Sequence, residues 1–446
     1  MASDPSEEPW LPQPIELGRR LREAREARSL SLREIQRRSG LNNGYLSQLE
    51  NGKIAHPSPS ILQKVATGYG LRFEDVMEWA GYLATRRDPV SPNQAVALST
   101  VSSLGDPSKE ELETLKAIVQ LLQAKRQPSY SPPSDIELDH ETRAEIRCHA
   151  SALLREAGAL GVRPTPLVDI REAARLILSG ELTLDASDER RLIERFGHWV
   201  QHAFKRLQGT FDYRTSEIWT APNLHEMKRR FVISHEIGHA ILPAHKQTFA
   251  YVDDFTCLPP VARGLLEREA NQAAVEILFQ CGEATTEFDS SAPTLDNIIA
   301  TSIAFGASIV STARFVAETS RRQLAVAIAH KSSSGFGRTH LYQSSSFASA
   351  YGWTSATAPP ELRAALRSCF GEEKDTWAIK NRRGEIRIAT VEKKFTGYAA
   401  VALIAPEGRR KAVVRSVRQA ASRPGTIVLR TPAAGGDVRR SHTQEG

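Results

Sequence analysis

Apolar residues recur in short helical periods over residues 15–85. Ser31 is placed to cap a short helix that carries Ile35 inward, and Gly40 suits the left-handed position that ends such a helix. Asn42 is placed to cap a second helix, which stops at Asn51 and Gly52 with Leu46 and Leu49 on its apolar side. Asn43, Tyr45, Ser47 and Gln48 are left facing outward. Ile61, Val65 and Ala66 open a further amphipathic helix that covers the pair. Two short helices around a Gly-containing turn predict a helix-turn-helix.

Beyond residue 85 the texture changes. Residues 86–135 contain DPVSPNQ, SSLGDPS and RQPSYSPPSD, which read as linker. Inside it, SKEELETLKAIVQLLQAKR starts with the capping box Ser108 and Glu111 and sets Leu112, Leu115, Val119 and Leu122 at heptad spacing. Packing on a neighbouring domain is the plain reading of this helix; pairing with a second copy, a homodimer, is the sharper one. Residues 136–330 are mainly helical in pattern, with a β-like patch at GTFDYRTSEIWTAP. Over 331–430 the β-branched runs EIRIATV, YAAVALIA, KAVVRSV and TIVLR predict strands. Residues 1–14 and 431–446 read as disordered ends. The expected fold is multidomain: an all-α helix-turn-helix domain (15–85), a linker (86–135), a mainly helical α+β domain (136–330) and a mixed α/β domain (331–430).

Composition adds constraints. The chain has 446 residues, room for several domains, and a formal net charge of +6, which favours a polyanionic partner. Eight Arg against four Glu between Ile15 and Gly40 read as phosphate-facing beside a recognition helix. No run of about 18 apolar residues occurs, so no membrane partner is expected. An acidic, Pro-rich start and four cysteines without Cys-x-x-Cys spacing fit a cytoplasmic protein with reduced thiols. Nine Lys/Arg stand against Asp437 between Arg409 and Arg440, by default a solvated edge. With Trp353, Trp377 and Phe395 as stacking groups, the sharper reading is single-stranded nucleic acid, or a small-molecule signal, at the C-terminal domain.

The stretch RRFVISHEIGHAIL, residues 229–242, carries chemistry. Phe231, Ile233, Ile237, Ile241 and Leu242 make an apolar side, so the segment is helical. His235 and His239 are then one turn apart on one face, close enough for both imidazoles to reach one Zn²⁺ at about 2.0–2.1 Å. Glu236 is placed to act as general base, and Gly238 leaves the second ligand uncrowded. A chain of this length holds His-Glu-x-x-His by accident about once or twice in a hundred. Downstream, LLEREANQAAVEILF reads as a helix that offers Glu267 or Glu269 as third ligand, with Glu267 preferred. Asn271, four residues after Glu267, can orient a ligating histidine. Tyr213, His225 and Tyr251 are candidate oxyanion partners. Cys257 and Cys281 flank the Glu helix, as buried thiols or as a thiolate held over the metal.

Two resemblances follow. LSLREI…SGLNNGYLSQLENGK…PS…L…VA is similar to the XRE, lambda-repressor-like DNA-binding family over about 60 residues. It implies a double-stranded DNA operator, with Asn43, Gly44, Tyr45 and Gln48 at base edges and Arg33, Asn51 and Lys53 near phosphates. Leu32 stands where that family usually has a polar residue. RRFVISHEIGH followed by EREANQAAVEIL resembles the ImmA/IrrE metallopeptidases over roughly residues 140–330. Their Glu-x-x-Ala-Asn register favours Glu267 over Glu269; the segment after AVEILF departs from the family by continuing QCGEATTEF. This resemblance implies a thermolysin-like zinc peptidase core in which zinc acidifies a water and polarises a carbonyl while Glu236 moves the proton.

The function so implied is a DNA-binding transcriptional regulator with a zinc-dependent endopeptidase domain. It cleaves a repressor-type protein, in trans or in its own linker, in response to a stress or phage-related signal. The alternative is a non-proteolytic XRE-family transcription factor or antitoxin, its middle domain a ligand-sensing or structural-metal module.

Overall fold

The computed structural model describes residues 14–83, 137–181, 190, 208–213, 215–251, 258–332, 335–369 and 371–406. The expected helix at 108–126, Cys257, the runs KAVVRSV and TIVLR, and the basic stretch 409–440 lie outside them. The chain divides into two compact units, residues 1–281 and 282–446.

Five helices open the first unit: α1 (Pro14–Ala27), α2 (Leu32–Ser39), α3 (Asn43–Glu50), α4 (Pro59–Tyr69) and α5 (Phe73–Trp79). The expected caps are formed. Ser31 Oγ accepts the Glu34 N–H, Asn42 Oδ1 accepts the Gly44 N–H, and Gly40 ends α2 at φ 71°. Ile35, Leu46, Leu49, Ile61 and Val65 are buried together. Leu32 also packs against this core, which explains an apolar residue at that position. Glu50 is buried and satisfied by the Arg25 guanidinium at 2.7 and 3.0 Å and by the Tyr69 hydroxyl at 2.8 Å. Arg19 and Arg20 pair with Glu16, and Arg38 pairs with Glu34. The basic surplus of α1 and α2 is therefore partly neutralised within the domain.

The unit continues with α6 (His140–Glu156), α7 (Leu167–Ala173), β1 (Ile177–Glu181), β2 (Gly209–Asp212), β3 (Glu217–Thr220), α8 (Glu226–Ile241), α9 (Pro243–Tyr251) and α10 (Pro260–Leu278). The sheet order is β1-β3-β2, with β1 parallel and β2 antiparallel to β3. Gln280, where the sequence leaves the family pattern, ties this region together. Its amide nitrogen donates to the Ala159 and Val162 carbonyls, and its amide oxygen accepts the Gly161 N–H.

The helix-turn-helix does not have a core of its own. Leu242, Ala244, Val261, Leu265 and Leu266 share one hydrophobic cluster with Leu17, Ile61, Val65 and Tyr82. Polar ties cross the same junction: Tyr45 to Asp139, Ser58 to Thr142, and Lys64 to Glu145 at 2.5 Å. Burial thus joins the described residues of the helix-turn-helix to helices α6, α9 and α10 in one cluster.

In the second unit α11 (Glu283–Ser290), α12 (Leu295–Phe305) and α13 (Ile309–Thr319) precede β4 (Ala325–Ser332) and β5 (Gly335–Gln343). Then come α14 (Ser345–Tyr351), α15 (Pro360–Arg367), β6 (Glu372–Lys380), β7 (Ile386–Phe395) and β8 (Ala399–Pro406). The strands form an antiparallel sheet, β5-β4-β8-β7-β6. β4 alternates as strands do. Ala325, Ala327 and Ala329 pack with Phe347 and Leu366, while Val326 and Ile328 pack with Phe288, Ile298 and Val316. Helices α11–α13 therefore cover one face of this sheet. Trp353 and Trp377 are buried in the opposite cluster and Phe395 packs against it, so these rings are core and not a base-stacking surface. Among the described residues no single helix is long and apolar enough to cross a membrane.

The Lys64–Glu145 tie carries a pH signature. The His149 ring hydrogen bond, aided by Lys64 and opposed by burial, lowers the Glu145 pKa from 4.5 to about 2. A depressed carboxyl stabilises the fold above its unfolded pKa and loses that contribution as pH falls through the folded one. Glu145→Gln is expected to cost about 1–3 kcal/mol at pH 7 and almost nothing near pH 2, read by urea unfolding at both.

Candidate metal centre and helix-turn-helix surface

Two helices assemble the candidate metal centre. Helix α8 presents His235 and His239 one turn apart, and α10 crosses α8 with Glu267 facing them. Gly238 permits the crossing: a Cβ there would lie 2.8 Å from the Ala270 carbonyl oxygen and 2.9 Å from the Ala273 methyl. Its role is thus helix–helix approach, where the sequence had suggested room around the ligand.

The donor atoms converge. His235 Nε2 and His239 Nε2 are 3.1 Å apart, and the Glu267 oxygens lie 3.3 and 3.7 Å from them. Two ligands of a tetrahedral Zn²⁺ at 2.0–2.1 Å would be separated by about 3.3–3.4 Å, so the set fits one small dication. Among the described residues this is the one such cluster of His, Cys, Asp or Glu. Cys281 lies outside it, its thiol directed at the Arg147 carbonyl. Behind the ligands, Asn271 Oδ1 stands 3.2 Å from His235 Nδ1, the expected orienting contact. With Nδ1–H donating there, Nε2 keeps its lone pair for a cation.

Electrostatics treat the two histidines differently. Burial holds His239 well below the ordinary imidazole pKa, so it is neutral, as a ligand must be. Burial pulls His235 the same way, but the Glu267 hydrogen bond and the Glu236 charge raise it overall. Desolvation pushes Glu267 up, yet the His235 hydrogen bond and the neighbouring imidazoles keep it at about 2, an anion at neutral pH. Glu236 is buried; a Cβ on Gly209 of β2 would lie 2.8 Å from its carboxylate oxygen, so that strand passes close over it.

Of the oxyanion candidates, Tyr213 is at the site. Its hydroxyl donates to the His239 carbonyl at 3.3 Å, and burial, with the charges of Glu236 and Glu267, keeps it protonated. His225 instead caps the far end of α8, accepting the Met227 N–H. The Tyr251 side chain lies outside the described residues.

Glu269 and His245 are the surprise. The sequence held Glu269 as a second-choice ligand or a surface carboxylate. It is fully buried and faces His245 Nε2 at 2.8 Å, while His245 Nδ1 faces His239 Nδ1 at 3.0 Å. His245 went unnoticed because a lone histidine six residues past the motif has no local signature of its role.

On the helix-turn-helix, Arg33, Gly44, Gln48, Asn51 and Lys53 are exposed. Asn51 is already engaged, donating to the Ser47 carbonyl and accepting from Arg22 at 2.7 Å. Asn43 is half-buried, and its amide oxygen has no partner among the described residues. Tyr45 is half-buried, and its hydroxyl donates to Asp139 at 2.7 Å.

Gly238→Ala weighs two effects against each other. Alanine improves helix propensity by about 1 kcal/mol, whereas overpacking a tight backbone contact costs about 1–3 kcal/mol. A lower melting temperature and weaker metal uptake are expected, measured by calorimetry with and without zinc.

A profile of a helix-turn-helix domain matches residues 16–80, and a profile of an IrrE N-terminal-like domain, from a peptidase family, matches residues 193–315. The chain is 35% identical over 66 residues to the uncharacterized HTH-type transcriptional regulator RghRB of Bacillus subtilis, covering 15% of this chain and 48% of that protein. It thus spans about half the length of that relative. It is 32% identical over 91 residues to the HTH-type transcriptional regulator DdrOP3 of Deinococcus deserti, covering 20% of this chain and 70% of that protein. A solved Mycobacterium tuberculosis transcriptional regulator superposes with a TM-score of 0.37 at 16% identity, over 59% of this chain and 88% of that one. The chain belongs to the HTH-type transcriptional regulators and carries, after its XRE-like helix-turn-helix, an IrrE-like domain of a peptidase family.

Proposed function

We propose that the protein is a DNA-binding regulator whose middle domain is a zinc-dependent endopeptidase with a thermolysin-like ligand set. Its substrate is a repressor-type protein, another chain or its own segment 86–135, cut in response to a stress or phage-related signal. The observation that carries this reading is the convergence of His235, His239 and Glu267, with Glu236 buried beside them. A dication held by these three supplies Lewis acidity, acidifying a water and polarising a peptide carbonyl. Glu236 then takes a proton and delivers it to the leaving amine. Tyr213, protonated and lying against His239, offers a hydroxyl to support the developing oxyanion. A purely structural metal has no use for Glu236.

The full chain is expected to bind one zinc per molecule. His239→Gln abolishes that binding, whereas Glu236→Gln retains the zinc and loses cleavage of repressors encoded beside it and of its own linker. An identical fragment pattern from Glu236→Gln on a gel excludes the peptidase.

For the DNA arm, exposed Gln48 of α3 reads base edges, while Arg33 and Lys53 contact phosphate. Gln48→Ala is expected to cost about 1–3 kcal/mol on the preferred operator and little on other DNA. Lys53→Ala weakens binding to both and reduces the slope of log affinity against log salt by about 1, read by fluorescence anisotropy.

A further inference from the structure

The two candidate ligands have different groups behind them. His235 is backed by Asn271 of the neighbouring helix α10. His239 is backed by a longer chain: His245 at 3.0 Å, Glu269 beyond it at 2.8 Å, and then the backbone N–H of Ser60 at 3.0 Å from the other Glu269 oxygen. Ser60 is the second residue of α4, in the helix-turn-helix. His245 and Glu269 are both fully buried.

We propose that His245 and Glu269 are positioning residues through which the helix-turn-helix domain completes the metal centre, so that metal loading and the seating of α4 strengthen each other. The inference rests on the metal reading above and extends it from the ligands to the DNA-binding domain.

Proton placement gives the reason. An imidazole that offers Nε2 to a cation carries its hydrogen on Nδ1. His239 Nδ1–H then donates to His245 Nδ1, which leaves the His245 hydrogen on Nε2, donating to Glu269. Every link has one donor and one acceptor. In the opposite tautomer of the chain, the bare His245 Nε2 would face a carboxylate oxygen. A cation at His239 therefore selects the register in which Glu269 is held. Glu269 receives its second donor from the first turn of α4, where N–H groups lack helical partners and the helix dipole favours an anion. Pro59 at the start of α4 and the αL Gly70 at its end fix that helix as a formed 11-residue element. Undocking α4 would leave a buried carboxylate oxygen without its donor, a costly state. Reciprocity follows: whatever docking contributes to metal affinity, metal contributes to docking.

The test uses the full chain and two readouts. Zinc affinity is measured by competition with a chelator, and amide exchange is followed in peptides spanning residues 58–64. Zinc is expected to slow Ser60 exchange in the wild type. Glu269→Gln cannot accept from both His245 and Ser60. It is expected to keep one zinc per chain with affinity about 10- to 100-fold weaker and to lose the zinc-dependent slowing. The proposal is overturned if the wild type binds zinc with no change in Ser60 exchange, or if Glu269→Gln holds zinc as tightly as the wild type. If the wild type takes up no zinc, the metal reading falls with it. Should Glu269→Gln fail to fold, the zinc dependence of Ser60 exchange in the wild type decides alone.

Discussion

The backbone contact between α8 and α10 at Gly238 sets the geometry of the first unit. A side chain at that position would strike the Ala270 carbonyl, so the two helices approach closely there. From that one crossing, Glu267 comes within 3.3 Å of His235, and Asn271, one turn further along α10, comes behind the same ring. Glu269 is two residues from Glu267, about 200° around the helix, and so leaves α10 on another side. One helix thereby supplies a candidate ligand, the group that orients a ligand, and a buried carboxylate with a different addressee.

That addressee explains a buried acid that apolar packing alone would not tolerate. A carboxylate removed from water needs donors, and Glu269 has one from each side of a junction: His245 and the first turn of α4. Glu50 solves the same problem inside the helix-turn-helix with Arg25 and Tyr69. Both acids are satisfied by groups distant in sequence, so they specify which helices meet as well as stabilising their meeting.

The shared core changes how the helix-turn-helix is understood. A domain joined only by a linker presents its recognition helix freely. Here α4 lies over α9 and α6, and Tyr45 at the start of α3 is bonded to the cap of α6. Gln48, Arg33 and Lys53 stay open, while Tyr45 does not. The arrangement therefore leaves those three side chains exposed and ties the Tyr45 hydroxyl to the neighbouring helix cap.

Local features were legible in the sequence because they are encoded within a few residues. The caps at Ser31 and Asn42, the stop at Gly40, the one-turn spacing of His235 and His239, and the Glu267–Asn271 pair each follow from helix geometry alone. The strands β7 and β8 were visible for the same reason, as short apolar runs bounded by Gly, Pro or charge. What the sequence could not decide was which surfaces meet. Whether Glu269 faces water or a histidine, whether Gly238 serves the metal or a helix crossing, whether Trp353 and Trp377 stack on a ligand or fill a core, and to which sheet α11–α13 belong all depend on contacts between residues tens to hundreds of positions apart. Local periodicity fixes which side of an element is apolar; only long-range packing chooses the partner for that side.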